Sequence, residues 1–205
     1  KSTLINLIPR LYDATDGKVL VGGVEVSQQS LQSLRKSIGF VPQKGLLFSG
    51  TIESNIKFSD ESLSDEAMKK AASIAQATEF IESNSLGYSR SIAQGGTNVS
   101  GGQKQRLSIA RALASDPDIL IFDDSFSALD YRTDAALRRA IKENTDNKTV
   151  IIVAQRISTI ANAEQIIVLD DGKVAGIGTH RQLLDSCDVY RQIALSQLSE
   201  EELQK

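Results

Sequence analysis

The sequence predicts an α/β fold in which a parallel sheet carries an inserted α-helical region. Apolar runs of strand length alternate with helical patterns along the chain. The runs are residues 38–41, 118–122, 149–154 and 165–169. Strand, helix, strand order implies parallel strands joined by right-handed crossovers. From about residue 45 to 115 the pattern is helical instead, which indicates a helical insertion between strands.

The elements before the insertion are short. Residues 2–11 have apolar side chains at helical spacing, from Leu4 to Leu11, and Pro9 should end or kink that helix. A short strand is expected at 18–21, between an Asp-Gly turn and a Gly-Gly turn. Leu31 and Leu34 then indicate a short helix before the buried strand at 38–41.

The helical insertion has clear start signals. Ser64 followed by two acids is a good N-cap, and Met68, Ala71, Ala72, Ala75 and Ile81 continue at helical spacing. A second helix should run over 101–114, and the tail from 189 to 205 resembles an exposed helix with acids at 200–202. We expect one domain over 1–205: an α/β core at 1–43 and 118–185, a helical subdomain at 44–117 and a C-terminal helix at 186–205.

Composition excludes several classes of protein. The 205 residues carry a net charge of -3, which gives no reason to expect nucleic acid as the main partner. The single cysteine excludes an internal disulfide framework. No apolar run approaches the roughly 20 residues that span a bilayer, and no signal peptide is visible. The chain lacks an initiator Met, so we expect it to be cut from a longer protein.

The first three residues open the predicted first helix. In the P-loop pattern, Lys1 would reach the β and γ phosphates and Ser2 would bind Mg²⁺, although the glycines of such a loop would precede this chain. From Lys1-Ser2-Thr3 alone, a solvated helix start is the favoured interpretation.

The strand at 118–122 runs into two carboxylates. A buried strand that ends in acids can deliver them to a metal–phosphate site, with Asp123 holding Mg²⁺ through its water shell and Asp124 placed as a water-activating base. For this feature in isolation, the alternative that these acids merely begin the next loop stays open.

The decisive feature is the stretch Asn98-Val99-Ser100-Gly101-Gly102-Gln103-Lys104-Gln105-Arg106. Ser-Gly-Gly at a helix start permits close approach to a phosphate, and the helix N-terminus supplies free N–H groups and a positive dipole end. A glycine-rich N-cap does not explain why Gln103, Gln105 and Arg106 follow in this order.

In these motifs, and over nearly its whole length, the sequence resembles the nucleotide-binding domain of ATP-binding cassette (ABC) transporters. Lys1-Ser2 resembles the end of Walker A, 41–43 the Q-loop, 99–103 the signature motif, 119–123 Walker B, and 127–130 the D-loop. The segment 48–52 is similar to exporters with fused membrane and ATPase domains. The resemblance implies a P-loop NTPase (RecA-like) core with ATP and Mg²⁺ as cofactors.

The resemblance also implies a set of site residues. It assigns ATP binding to Lys1, Ser2, Thr3, Gln43, Ser100, Gly101, Gly102 and Gln103, metal binding to Ser2, Gln43 and Asp123, and catalysis to Asp124, Gln155 and Gln43. In the family the signature motif binds the ATP held by the opposite subunit.

The sequence departs from the family pattern at two positions. The family's general base is usually Glu, whereas Asp124 is one methylene shorter, with on the order of 1.5 Å less reach. The family's switch His is replaced by Gln155, which can donate a hydrogen bond but cannot carry charge. His180, the single histidine, is expected to be structural.

Both departures beside an intact signature motif favour a specific hypothesis. This chain's own site binds ATP but hydrolyses it slowly, and its signature motif completes a competent site on a different chain, as in heterodimeric exporters. The expected partners are a second ABC ATP-binding domain and the exporter's transmembrane domains, at the cytoplasmic face of the cell membrane, with no nucleic acid. Two alternatives are an ABC ATPase acting on nucleic acid and an inert structural partner.

Overall fold

The computed structural model describes residues 1–198 of the 205-residue chain. They form two compact units. The larger unit is Ser2–Val153, and the smaller one joins Lys1 to the chain from Ala154 onward. The predicted boundaries of the helical subdomain, 44–117, stay a prediction, because its helices lie in the same compact unit as the parallel sheet.

The larger unit contains the predicted parallel sheet among its helices. In chain order its elements are α1 (Ser2–Ile5), β1 (Leu20–Val21), β2 (Val24–Glu25), α2 (Leu31–Lys36), β3 (Ile38–Val41), β4 (Gly50–Thr51), α3 (Ile52–Ile56), α4 (Asp65–Ile74), α5 (Thr78–Glu82), β5 (Ser91–Ile92), α6 (Gly101–Ala114), β6 (Ile119–Asp123), α7 (Tyr131–Asn144) and β7 (Thr149–Val153). The parallel strands are ordered β3-β6-β7, while β1 with β2 and β4 with β5 form small antiparallel pairs. The α/β fold class is therefore confirmed.

Strand β6 is the centre of the sheet. Ile121 pairs with Phe40 of β3 on one side and with Ile151 of β7 on the other. Leu120, Ile121 and Phe122 have no exposed surface. A strand covered on both faces reads as a continuous apolar run, which is why the sequence located this strand well.

The N-terminal helix is much shorter than the predicted 2–11. Helix α1 ends at Ile5, and the chain continues in tight turns in which Leu7 N–H bonds to Leu4 O and Arg10 N–H to Leu7 O. Pro9 has no N–H to donate, so the helical ladder cannot extend through it. Leu4 and Leu11 are about half exposed, at 50% and 49%, so the predicted apolar face does not form at its two ends.

The helical insertion begins as predicted but is divided. Ser64 caps α4 by accepting a hydrogen bond from Ala67 N–H. The helix stops at Ile74 because the chain turns at Gln76, whose φ is +56°. Ile81 therefore belongs to the separate helix α5 and not to a continuation of α4. Helix α6 has the bounds that the sequence predicted, and it lies against β3 in the main core.

The smaller unit corrects one strand prediction. Its elements are α8 (Ile157–Ile160), β8 (Ile166–Asp170), β9 (Lys173–Gly178), α9 (His180–Ser186) and α10 (Asp188–Leu195). Strand β8 pairs antiparallel with β9 and is no part of the three-stranded parallel sheet. The two-residue turn Asp171-Gly172 has positive φ at both positions, 45° and 76°, which is the geometry that closes a tight hairpin.

A C-terminal helix forms as predicted but ends at Leu195, and it is not fully exposed, because Tyr190 and Ala194 are buried in the core of the smaller unit. The predicted acidic stretch 200–202 lies outside the described residues. His180 starts α9 and lies 2.7 Å from the hydroxyl of Tyr190 through Nδ1, as expected of a structural residue. Among residues 1–198, no helix is long and apolar enough to cross a bilayer.

Candidate functional site

The two carboxylates at the end of β6, Asp123 and Asp124, lie at the carboxyl end of the parallel sheet. Asp123 is the last residue of the strand and is 8% exposed, and Asp124 is 9% exposed. Asp124 has a φ of 48°, and its N–H bonds to Val153 O of the neighbouring strand at 2.9 Å. Ligands of open α/β sheets bind at this end of the strands, so the location suits a substrate site.

The start of α1 meets the end of β6. Ser2 Oγ donates a hydrogen bond to Asp123 Oδ1 at 2.9 Å, across 121 residues of sequence. A hydroxyl and a carboxylate are oxygen ligands of the kind that Mg²⁺ binds, together with waters and substrate phosphates. In the described part of the chain no group of three or more His, Cys, Asp or Glu forms a metal cage. The pair therefore fits Mg²⁺ held jointly with a phosphate ligand.

Gln43 joins the same end of the sheet. Its Nε2 donates to Asp124 Oδ2 at 3.3 Å, and it follows Pro42 at the end of β3. Ser125, which is fully buried, donates from Oγ to Val41 O at 2.9 Å. The ends of β3 and β6 are thus tied together by side chains as well as by the strand ladder.

Ser100 and Gln103 form a reciprocal cap on α6. Ser100 Oγ accepts from Gln103 N–H at 3.2 Å, and Gln103 Oε1 accepts from Ser100 N–H at 3.1 Å. Gly101 is exposed, and a Cβ there would meet no atom of residues 1–198 within 4 Å. At Gly102 the nearest atoms would be at 3.8 Å, an ordinary contact. Packing among the described residues therefore does not require either glycine.

Of the remaining predicted site residues, Lys1 and Gln155 belong to the smaller unit, and Thr3 lies on α1. In the smaller unit, Lys1 Nζ donates to Ala154 O at 3.2 Å, and Gln155 O accepts from Gln197 Nε2 at 2.8 Å. Thr3 is exposed on α1. The structure thus brings Ser2 to Asp123 and Gln43 to Asp124, and it places Lys1 against the residue before Gln155.

Sequence reasoning did not predict the contacts of three buried or half-buried polar residues in the larger unit. Ser125 and Gln105 bond to the backbone around Gln43. Arg111 donates to Asn55 O and Oδ1, both at 2.7 Å, and its guanidinium lies 5.1 Å from the Phe48 ring centre. Burial lowers the pKa of Arg111 to about 10. Polar side chains within the apolar face of α6 were the signal that could have identified Gln105 and Arg111.

Comparisons with known proteins place the chain in a family. The profile described as "ABC transporter" matches residues 1–127. An uncharacterized ABC transporter ATP-binding protein of Mycobacterium tuberculosis is 46% identical over 200 residues, covering 96% of this chain and 34% of that protein. A protein of Staphylococcus aureus, provisionally named a multidrug export ATP-binding/permease protein, is 42% identical over 193 residues, covering 94% of this chain and 33% of that protein.

A solved structure agrees with these relatives. The structure of a bacterial Atm1-family ABC exporter with ATP bound superposes with a TM-score of 0.93 at 37% identity, covering 98% of this chain and 35% of that one. The chain spans about a third of the length of the curated relatives it matches. The chain belongs to the ABC transporter family, as an ATP-binding domain homologous to those of exporter-type, Atm1-family proteins.

Proposed function

We propose that this chain is the ATP-binding and hydrolysing module of an ABC exporter. In this proposal, ATP binding and hydrolysis between two such domains drive substrate export through transmembrane domains, with the module at the cytoplasmic face of the membrane. The observation that carries the proposal is the 2.9 Å hydrogen bond between Ser2 Oγ and Asp123 Oδ1. It joins the two motifs that hold Mg²⁺ and the terminal phosphates in P-loop proteins.

The residues around this pair have distinct roles. Lys1, Ser2 and Thr3 bind the phosphates of ATP, and Ser2, Asp123 and Gln43 hold Mg²⁺. When bound, Mg²⁺ neutralises charge that develops on the phosphates. Asp124 orients the attacking water and accepts its proton, and the Gln43 amide bonded to Asp124 Oδ2 at 3.3 Å keeps that carboxylate in place.

The signature segment binds the ATP of a partner domain. Ser100 supplies a hydroxyl, and the first N–H groups of α6 have no partner within the helix. The open space around Gly101 supports this role, because the glycine has no packing reason within the described part of the chain. A phosphate can approach the bare backbone there, with Gln103 beside it.

The chain's own ATP site is proposed to be slow. Asp124 has less reach toward water than the Glu that the family usually has, and Gln155 replaces an ionisable imidazole with a neutral amide. Loss of a well-placed base typically lowers a rate by about 10²–10⁴-fold. ATP then remains bound here while the second site, on a different chain, turns over.

The test uses the full-length protein purified with its partner chain and reconstituted in lipid. Wild type should hydrolyse ATP in a Mg²⁺-dependent manner, and membrane fractions should retain it. Asp124→Glu combined with Gln155→His should raise turnover at this site at least about tenfold. Asp118→Glu combined with Gln28→His, the same changes at exposed positions, should have no effect.

The outcomes separate the candidate functions. Absence of ATP hydrolysis in the wild-type complex contradicts the ATPase proposal and favours an inert structural partner. Retention on nucleic acid in place of membranes favours the ATPase that acts on nucleic acid. Unchanged turnover in the double variant contradicts only the explanation from Asp124 and Gln155.

A further inference from the structure

A buried glutamine of α6 holds the chain on both sides of Gln43. Gln105 is 1% exposed, and its side-chain amide has two backbone partners in the loop after β3. Its Oε1 accepts from Gly45 N–H at 2.8 Å, and its Nε2 donates to Pro42 O at 3.2 Å. The partners lie 60 and 63 residues away in sequence. Both ends of the amide are thus used to hold residues 42–45.

The close approach of Gly45 to α6 is a second, independent observation. A Cβ on Gly45 would lie 2.9 Å from Lys104 O and 3.1 Å from Gln105 Cα. Both are closer than ordinary van der Waals contacts, and the nearest is to helix backbone, which cannot rotate away. Glycine at this position therefore lets the loop pack directly on the helix that carries Gln105.

The same helix connects this loop to the signature segment. Gln105 follows Ser100 by five residues, about 7.5 Å along the axis of α6. A helix transmits displacement along its axis as a rigid body, so a shift at Ser100 moves Gln105 and the backbone bonded to it. Gln43 lies between Pro42 and Gly45, so it moves with the backbone that Gln105 holds.

We propose that Gln105 is a positioning residue that fixes the Gln43 loop to α6, so that the signature segment and Gln43 move together. The inference rests on the proposed ATPase function. The Gln105 amide supplies a donor, Nε2–H, and an acceptor, Oε1, at once. Gln105→Met keeps the length of the side chain and removes both hydrogen bonds. Ile109→Val is the matched control, because it trims a buried side chain of the same helix without removing a polar contact.

The first measurement is hydrogen exchange in the full-length complex, read by mass spectrometry over peptides that contain residue 45. In Gln105→Met, the Gly45 amide should exchange on the order of tenfold faster than in wild type. Ile109→Val should leave that exchange unchanged. An unchanged Gly45 amide in Gln105→Met would overturn the proposal.

The second measurement is a double-mutant cycle on ATP turnover at this chain's own site, read in complexes whose partner chain has lost its own general base. Gln105→Met should lower kcat by about tenfold and change KM less than about twofold, because Gln43 is proposed to act in the chemical step. In a Gln43→Ala background, Gln105→Met should cause almost no further loss. The proposal would be overturned if the two substitutions together lowered kcat by the product of their separate factors. A Gln43→Ala variant with normal turnover would overturn it as well.

A second variant tests the same contact from the loop side. Gly45→Ala keeps Gln105 intact but pushes the loop from the helix, so it should also lower kcat with little change in KM. Normal kcat in this variant would contradict the proposal. If wild type hydrolyses no ATP, the proposed function fails, whereas the exchange measurement still tests whether Gln105 holds the loop.

Discussion

A pair of identical substitutions separates function from packing in this domain. Gly101→Ala adds a methyl group with no other described residue's atoms within 4 Å, and Gly39→Ala adds one at 2.6 Å from Ala112 O and 2.8 Å from Leu120 Cδ2. The first variant should leave the fold unstrained, and alanine is also more favourable than glycine in a helix by up to about 1 kcal/mol. The second overpacks the core between β3 and α6, at a cost of about 1–3 kcal/mol.

The expected effects on activity are the reverse. If a phosphate of the partner's ATP approaches Gly101, the added methyl group displaces it from a charge-assisted N–H bond worth about 1.5–3 kcal/mol. Turnover should then fall by roughly 10–150-fold. Gly39→Ala should keep normal turnover per folded molecule.

The assay compares ATP turnover and thermal unfolding in the full-length complex. Gly39→Ala should lower Tm by about 2–4 °C for each kcal/mol lost, while Gly101→Ala stays within about 2 °C of wild type. Normal turnover in Gly101→Ala would refute the proposed phosphate contact. A fall in Tm equal to that of Gly39→Ala would show that the glycine serves packing instead.

Three further substitutions or conditions test other parts of the structure. Asp123→Asn removes the charged partner of Ser2 and should lower Mg²⁺-dependent hydrolysis at this chain's own site by about 100-fold or more, with a shifted Mg²⁺ titration. Ser125→Ala removes the buried donor to Val41 O and should destabilise the domain by about 1–3 kcal/mol, measured as a lower Tm. Burial lowers the pKa of His180 in the folded state, so stability should be full above about pH 6.5 and decline as the pH falls through the lowered pKa. The decline should disappear in His180→Gln.

Local sequence patterns were sufficient to locate elements that depend on residues close together in the chain. The apolar runs located β3, β6 and β7. Continuous apolar sequence is needed by the buried strands β3 and β6, and the partly exposed β7 has it as well. The Ser100 cap located the start of α6. Local signals were incomplete for α1, which ends at Ile5, before the predicted stop at Pro9, and for β8, whose residues were located but whose antiparallel pairing with β9 was not.

The order of residue types along the chain determined the fold class, the family and the identities of the chemical groups, because motif spacing and apolar periodicity are properties of neighbouring residues. Tertiary structure alone decided which groups meet. Ser2 reaches Asp123 across 121 residues, Gln43 reaches Asp124 across 81, and Gln105 reaches Gly45 across 60. These hydrogen bonds have no local signature, because they form only after the sheet and α6 have packed and brought distant backbone within about 3 Å.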